Sequence, residues 1–85
     1  MKRDYDYYIE AAGQAERVSI GLWKAINQCI RSVLETQRKK GTPLKKVPAI
    51  LEFIAGPKPE FKNPEIHNLR VAAKAIRAGK DMVLL

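Results

Sequence analysis

The chain has few of the residues from which catalytic and metal sites are built. Cys29 and His67 are its only cysteine and its only histidine among 85 residues. One cysteine cannot form an internal disulfide, and a structural zinc site needs four cysteine or histidine ligands. The sequence also has no glycine-rich phosphate loop and no acidic cluster suited to magnesium. We therefore expect a protein that is not an enzyme and that holds no cofactor and no metal.

Long apolar runs are missing as well. The densest apolar stretch, residues 48–55, is far shorter than the roughly 20 residues that span a bilayer. The basic start is followed by Asp4, Tyr5 and Asp6, where a signal peptide needs a continuous apolar segment. With the lone cysteine, these features predict no transmembrane segment and a cytoplasmic or other reducing intracellular location.

Acidic residues are scarce relative to basic ones. Nine Asp and Glu face 16 Lys and Arg, which gives a formal net charge of +7. The whole surplus lies beyond residue 16, because residues 1–16 have a net charge of −2 and residues 17–85 a net charge of +9. Such an excess favours association with polyanions, although it says nothing about the fold.

The apolar pattern predicts an all-α fold, a small bundle of three principal helices in a single domain over residues 1–85. The first helix is expected near 14–40 and ends at Gly41. The second, near 48–55, begins at Pro48 and ends at Gly56, and it is expected to be buried on nearly all sides because Ile50, Leu51, Phe53 and Ile54 leave little polar face. The third, near 64–78, begins at Asn63-Pro64 and ends at Gly79.

Two details of this prediction concern the packing around the first helix. A short N-terminal segment with helical spacing precedes it, and Gly13 is a candidate end or hinge of that segment. The face of the first helix expected to enter the core, with Ile30 and Leu34 at its side, comprises Val18, Leu22, Ala25, Ile26, Cys29 and Val33.

Cations recur at seven-residue intervals along the predicted first helix. Because seven residues leave a drift of only about 20°, they would form a nearly straight stripe about 32 Å long. The candidate nucleic-acid contacts are this row and two further groups, which together comprise Arg17, Lys24, Arg31, Arg38, Lys39, Lys40, Lys45, Lys46, Arg70, Lys74 and Arg77. Contact with phosphates and a plain solvated face are both compatible with such a pattern.

A second candidate surface surrounds Trp23. This flank lies between the predicted core face and the stripe, and its members are Ile20, Trp23, Asn27, Ile30 and Leu34. Exposed aromatic residues with aliphatic neighbours are common anchors of protein interfaces, and packing beneath the N-terminal segment or the tail is the alternative. The flank, the small core and the apolar C-terminal residues also predict self-association as a homodimer.

Two functional hypotheses remain open from the sequence. In the first, the protein is a small nucleic-acid-binding or regulatory factor, DNA-binding or RNA-binding, that grips phosphates with helix-borne cations. In the second, it is an adaptor or inhibitor in a protein–protein interaction, which docks its basic surface and Trp23 flank on an acidic protein partner.

Overall fold

The computed structural model describes residues 3–56 and 64–85. Within these ranges the chain forms four α-helices and no strand: α1 (Tyr5–Val18), α2 (Gly21–Lys40), α3 (Val47–Ala55) and α4 (Pro64–Ala78). A 3₁₀ turn, Leu44–Lys46, leads directly into α3. The all-α prediction is confirmed, but the described residues hold four helices where three principal ones were expected.

The prediction of one helix over 14–40 is wrong, because Ser19 and Ile20 interrupt the helical backbone. Both residues have extended backbones, with ψ of 155° and 159°. Gly21 follows with φ of +62°, a conformation that glycine adopts without the cost a side chain would bring. The short N-terminal segment is thus a helix of its own, which pairs with α2 as an antiparallel hairpin.

Gly13 lies inside α1 and neither ends nor bends it. A Cβ at this position would lie 3.5 Å from Cδ of Arg31 on α2. This is an ordinary van der Waals distance, so a methyl group would fit between the two helices of the hairpin at this position.

The buried side of α2 differs from the predicted one. Asn27, Ile30 and Leu34 are fully buried, whereas Val18 and Leu22 are 84% and 60% exposed. The predicted face was wrong because its period was counted through the break, so Val18 belongs to another helix. Of the other members, Ala25 is exposed and the rest are half-buried, namely Ile26, Cys29 and Val33.

The second and third predicted helices correspond closely to α3 and α4. Gly56 and Gly79 end them with φ of +81° and +63°. The expected burial of α3 on nearly all sides is wrong, because Phe53 is 87% exposed and Ile54 is 44% exposed. In α4, Leu69, Ala72, Ala73 and Ile76 are buried. The predicted cap Asn63 lies outside the described residues.

Residues 80–85 return along the bundle without regular structure, and Met82 is buried in the core. Twelve further members of the core come from all four helices: Tyr8, Ala12, Ile30, Leu34, Val47, Leu51, Ala55, Leu69, Ala72, Ala73, Ala75 and Ile76. In the described part of the chain, no helix is long and apolar enough to cross a membrane.

Candidate polyanion interface

The first turns of α1 hold the end of α2 and the start of the C-terminal segment together. The side chain of Asp4 caps the helix by accepting a hydrogen bond from the backbone N–H of Tyr7. The hydroxyl of Tyr5 donates to the carbonyl of Thr42, just beyond α2. The buried Tyr8 hydroxyl donates to the carbonyl of Lys80, at 2.9 Å. Three chain segments thus meet at one end of the bundle.

An ion pair reinforces this junction. Nε of Arg3 lies 2.7 Å from Oδ1 of Asp81, and the hydroxyl of Tyr7 donates to the same carboxylate. The guanidinium of Arg3 also lies 5.6 Å from the centre of the Tyr7 ring. The hydrogen bonds that Arg3 and Tyr7 donate to Asp81 lower the pKa of this carboxyl group. Donating to the carboxylate raises the pKa of Tyr7, because the bond requires the phenol to keep its proton. The charge of Asp81 is therefore balanced locally.

Exposed lysines surround this junction. Two lie in the last turn of α2, two in the 3₁₀ turn and one just after α4. We call this group the lysine end: Lys39, Lys40, Lys45, Lys46 and Lys80. None of the five forms an ion pair with a residue that the structure describes. The surface has a high density of uncompensated positive charge.

The predicted row of four cations does not form one stripe. Arg17 lies on α1, whereas Lys24, Arg31 and Arg38 lie on α2. Arg31 contacts Glu16 at 3.0 Å and Arg38 pairs with Asp6, so both face α1. The prediction of a straight row opposite the core is wrong, because the hairpin turns two of the cations toward acidic residues of the preceding helix. Arg17 and Lys24 stay exposed near the turn between the helices.

The predicted cations of α4 are also in different environments. Arg77 pairs with Glu52 of α3, and this hydrogen bond lowers the pKa of the Glu52 carboxyl. Lys74 is exposed, and Arg70 is half-buried. Of the three, Lys74 is the one that is exposed and forms no ion pair with a described residue, although its charge also helps to lower the pKa of Glu52 after that of Arg77.

The predicted Trp23 flank is largely interior. Asn27, Ile30 and Leu34 have no exposed surface, so the prediction that they face a partner is wrong. The break before α2 rotates these residues toward α1 and α4, which cover them. Trp23 is half-buried, and Ile20 is 84% exposed.

Asn27 is buried because it belongs to a closed hydrogen-bond network with Ser19, Asn68 and Leu85. The Asn27 amide nitrogen donates to the Ser19 hydroxyl and the Leu85 carbonyl, both at 2.9 Å. The Asn68 amide nitrogen donates to the Asn27 side-chain oxygen at 2.8 Å and to the Leu85 carbonyl at 3.0 Å. The backbone N–H of Leu85 donates a hydrogen bond to the side-chain oxygen of Asn68 at 3.2 Å. We call these four residues the asparagine network.

The surface beside the asparagine network is apolar. Val18, Ile20 and Leu22, which we call the apolar turn, project from the α1–α2 connection. Leu85 is 63% exposed and is tied to this connection through Ser19. Large aliphatic side chains clustered on a surface mark interaction sites more often than scattered ones do.

Several surface residues were not predicted from the sequence, for identifiable reasons. Lys80 stood alone after the last helix, and Phe53 was assigned to the core because its neighbours are apolar. Ser19 and Gly21, which favour a turn, were read as part of a helix. Cys29 is half-buried on α2 and His67 is exposed on α4. Among the described residues, no group of three potential ligands could hold a metal ion.

The arrangement can attract a polyanion electrostatically through several ammonium groups at once, without any reacting group. Each lysine ammonium group acts as a point charge with three hydrogen-bond donors, so it does not require one fixed geometry of the bound phosphate. No protein-family model, curated protein or solved structure matches this chain.

Proposed function

We propose that the protein is a non-catalytic nucleic-acid-binding protein whose lysine end contacts the phosphate backbone. The observation that carries the proposal is the convergence of five exposed lysines from three chain segments. The arginines of the bundle are paired with carboxylates at four places, whereas these lysines are not paired within the described ranges. Their charge is therefore available for a ligand.

Contacts of this kind fix position and affinity and carry little sequence information. A lysine ammonium meets a phosphate as a point charge, and binding releases the counterions condensed on the nucleic acid. If about four phosphates are contacted, the logarithmic salt slope is about −4 for a duplex. We expect affinity that is strongly salt-dependent and tolerant of sequence.

The test is a titration of the full chain into labelled duplex and single-stranded DNA and RNA. Raising the salt from about 50 to about 200 mM should weaken binding of the wild-type protein about a hundredfold. The variant Lys40→Gln/Lys45→Gln/Lys46→Gln should bind more weakly at the lower salt and with a flatter slope. The matched control, Arg17→Gln/Lys24→Gln/Lys74→Gln, removes the same charge elsewhere and should retain most of the affinity.

The outcomes separate the proposal from a general charge effect. Equal losses in the two triple variants would show that net charge alone drives binding. Absence of binding to every probe at the lower salt would reject the proposal outright.

The second candidate function is docking on an acidic protein, and the apolar turn favours it. Arg17 and Lys24 are exposed on either side of the aliphatic Val18, Ile20 and Leu22. An apolar cleft rimmed by carboxylates would complement this surface in shape and in charge. Ile20→Ser should abolish salt-sensitive capture of such a partner, while Val83→Ala, a change at an exposed aliphatic residue outside the apolar turn, should not.

Self-association stays a prediction. Its remaining surface basis is Val83 and Leu85, which are exposed, since most of the Trp23 flank is interior. Dimerisation through two facing apolar turns would bring Arg17 and Lys24 of both copies together, which is unfavourable. Light scattering at high micromolar concentration should give twice the monomer mass if a dimer forms, and the monomer mass would contradict it.

A further inference from the structure

The outward side of α3 connects the lysine end to an exposed aromatic ring. Val47, Leu51 and Ala55 form the buried side of α3. At 100° per residue, Phe53 points almost directly away from them. Lys46 ends the 3₁₀ turn directly before α3, so the lysine end adjoins the start of this helix, and Phe53 lies about two turns farther along it.

The ring of Phe53 is unusually accessible for a side chain with no polar atom, with 87% of its surface exposed. The residue one turn earlier on the same face is Ala49, whose small side chain leaves the approach to the ring open. An apolar ring in water is stabilised by any partner that covers its face.

The charges near the ring favour an anionic partner. Glu52 is the only acidic residue between Thr36 and Pro59 in the sequence. Its carboxylate is paired with Arg77, so its charge is balanced. A chain of phosphates that follows the lysine end toward Phe53 therefore meets no uncompensated carboxylate on the described part of α3.

We propose that Phe53 is a stacking platform for an unpaired base, and that the ligand of the lysine end is single-stranded nucleic acid. This inference rests on the proposed function and narrows it. Bases of a duplex are already stacked on their neighbours, whereas those of a single strand offer a free π face. Cationic side chains for the backbone beside an aromatic side chain for the bases are the combination that single-strand binders use.

The experiment compares three labelled probes of equal length: a mixed-sequence DNA single strand, its duplex, and an abasic strand with the same phosphates and no bases. Wild-type protein should bind the base-containing single strand most tightly. Phe53→Leu should lower that affinity about five- to a hundredfold, the range for one lost stacking contact. Its affinity for the duplex and for the abasic strand should stay unchanged.

Two matched variants complete the test. Phe53→Tyr keeps an aromatic face and should retain binding, and Val83→Ala removes apolar surface elsewhere and should have no effect. Equal binding of wild type to the base-containing and abasic strands would overturn the inference, whatever the variants do. A Phe53→Leu variant that binds the single strand with wild-type affinity would also overturn the inference. The ring would then contact a protein partner or no partner at all.

Failure of this inference and failure of the proposed function give different results. If Phe53 is not a stacking platform, the triple variant of Lys40, Lys45 and Lys46 still weakens binding to every probe. If the lysine end does not bind nucleic acid, that triple variant behaves like wild type on all three probes.

Discussion

The two ends of the α1–α2 hairpin differ in what they present to solvent and resemble each other in how they are held. The lysine end exposes ammonium groups, and the apolar turn exposes aliphatic side chains. Beneath the first, tyrosine hydroxyls bind the carbonyls of Thr42 and Lys80. Beneath the second, the asparagine network binds the backbone of Leu85. At both ends, buried polar side chains fix the backbone while other side chains face outward.

This division of roles implies that surface and scaffold can be changed separately. Exposed residues such as Lys45, Ile20 and Phe53 contribute little to the core, so their substitution should alter binding and leave folding intact. Buried residues such as Asn68 and Tyr8 should behave in the opposite way.

The largest effect on stability is expected from Asn68→Ala, in the asparagine network beneath the apolar turn. The change leaves the buried Asn27 side-chain oxygen without its donor and releases Leu85, which should cost about 1 to 3 kcal/mol of unfolding free energy. Urea denaturation measures it, and a double-mutant cycle with Asn27→Ala should give clear coupling. Additive losses would show that the asparagine network is not a unit.

At the lysine end, Tyr8→Phe removes one buried hydroxyl and keeps the ring. The loss of the hydrogen bond to Lys80 should cost about 1 kcal/mol, less than the change in the asparagine network. Urea denaturation of both variants under the same conditions compares the two ends directly. A larger loss for Tyr8→Phe than for Asn68→Ala would reverse the proposed order.

A smaller and pH-dependent effect is expected from Asp81. Its folded-state pKa is lowered by Arg3 and Tyr7, so its contribution is fully present above the unfolded-state pKa of about 3.9. That contribution is lost as the pH falls through the lower folded-state pKa. Asp81→Asn should therefore reduce Tm slightly near neutral pH and match wild type more closely near pH 2. A difference in Tm between Asp81→Asn and wild type that grows toward low pH would contradict the expected direction of this effect.

The smallest effect is expected from Ile20→Ser on the apolar turn. Because Ile20 is 84% exposed, its replacement should change the unfolding free energy by no more than about 0.5 kcal/mol. Thermal unfolding monitored by circular dichroism provides the measurement. A large loss of stability would show that the apolar turn packs on the bundle and is not an interaction surface.

The sequence predicted those features that depend on local signals. Gly56 and Gly79 mark the ends of α3 and α4, because glycine favours the positive φ found there. The break before Gly21 was missed because Val18 and Leu22 continue a helical period across it. The buried face of α2 was missed for a different reason: the partners of Asn27 lie 41 and 58 residues away in the sequence. No local pattern identifies a buried amide whose hydrogen bonds come from such distant residues.

The ion pairs of the predicted cations could not be predicted from local sequence either. Spacing identified Arg31 and Arg38 as candidates but could not reveal that the hairpin places Glu16 and Asp6 against them. Four of the exposed lysines were predicted because they follow the cation row along the sequence, namely Lys39, Lys40, Lys45 and Lys46. Phe53 was missed because the burial of a short apolar helix depends on how many of its sides are covered.

The most direct measurement is a nuclear magnetic resonance titration of ¹⁵N-labelled protein with a short DNA single strand at low salt. We expect amide shift changes concentrated at the lysine end and along the outward side of α3, around Lys45, Ala49, Phe53 and Lys80, with residues 18–24 unaffected. Changes concentrated at residues 18–24, or no changes at all, would contradict it.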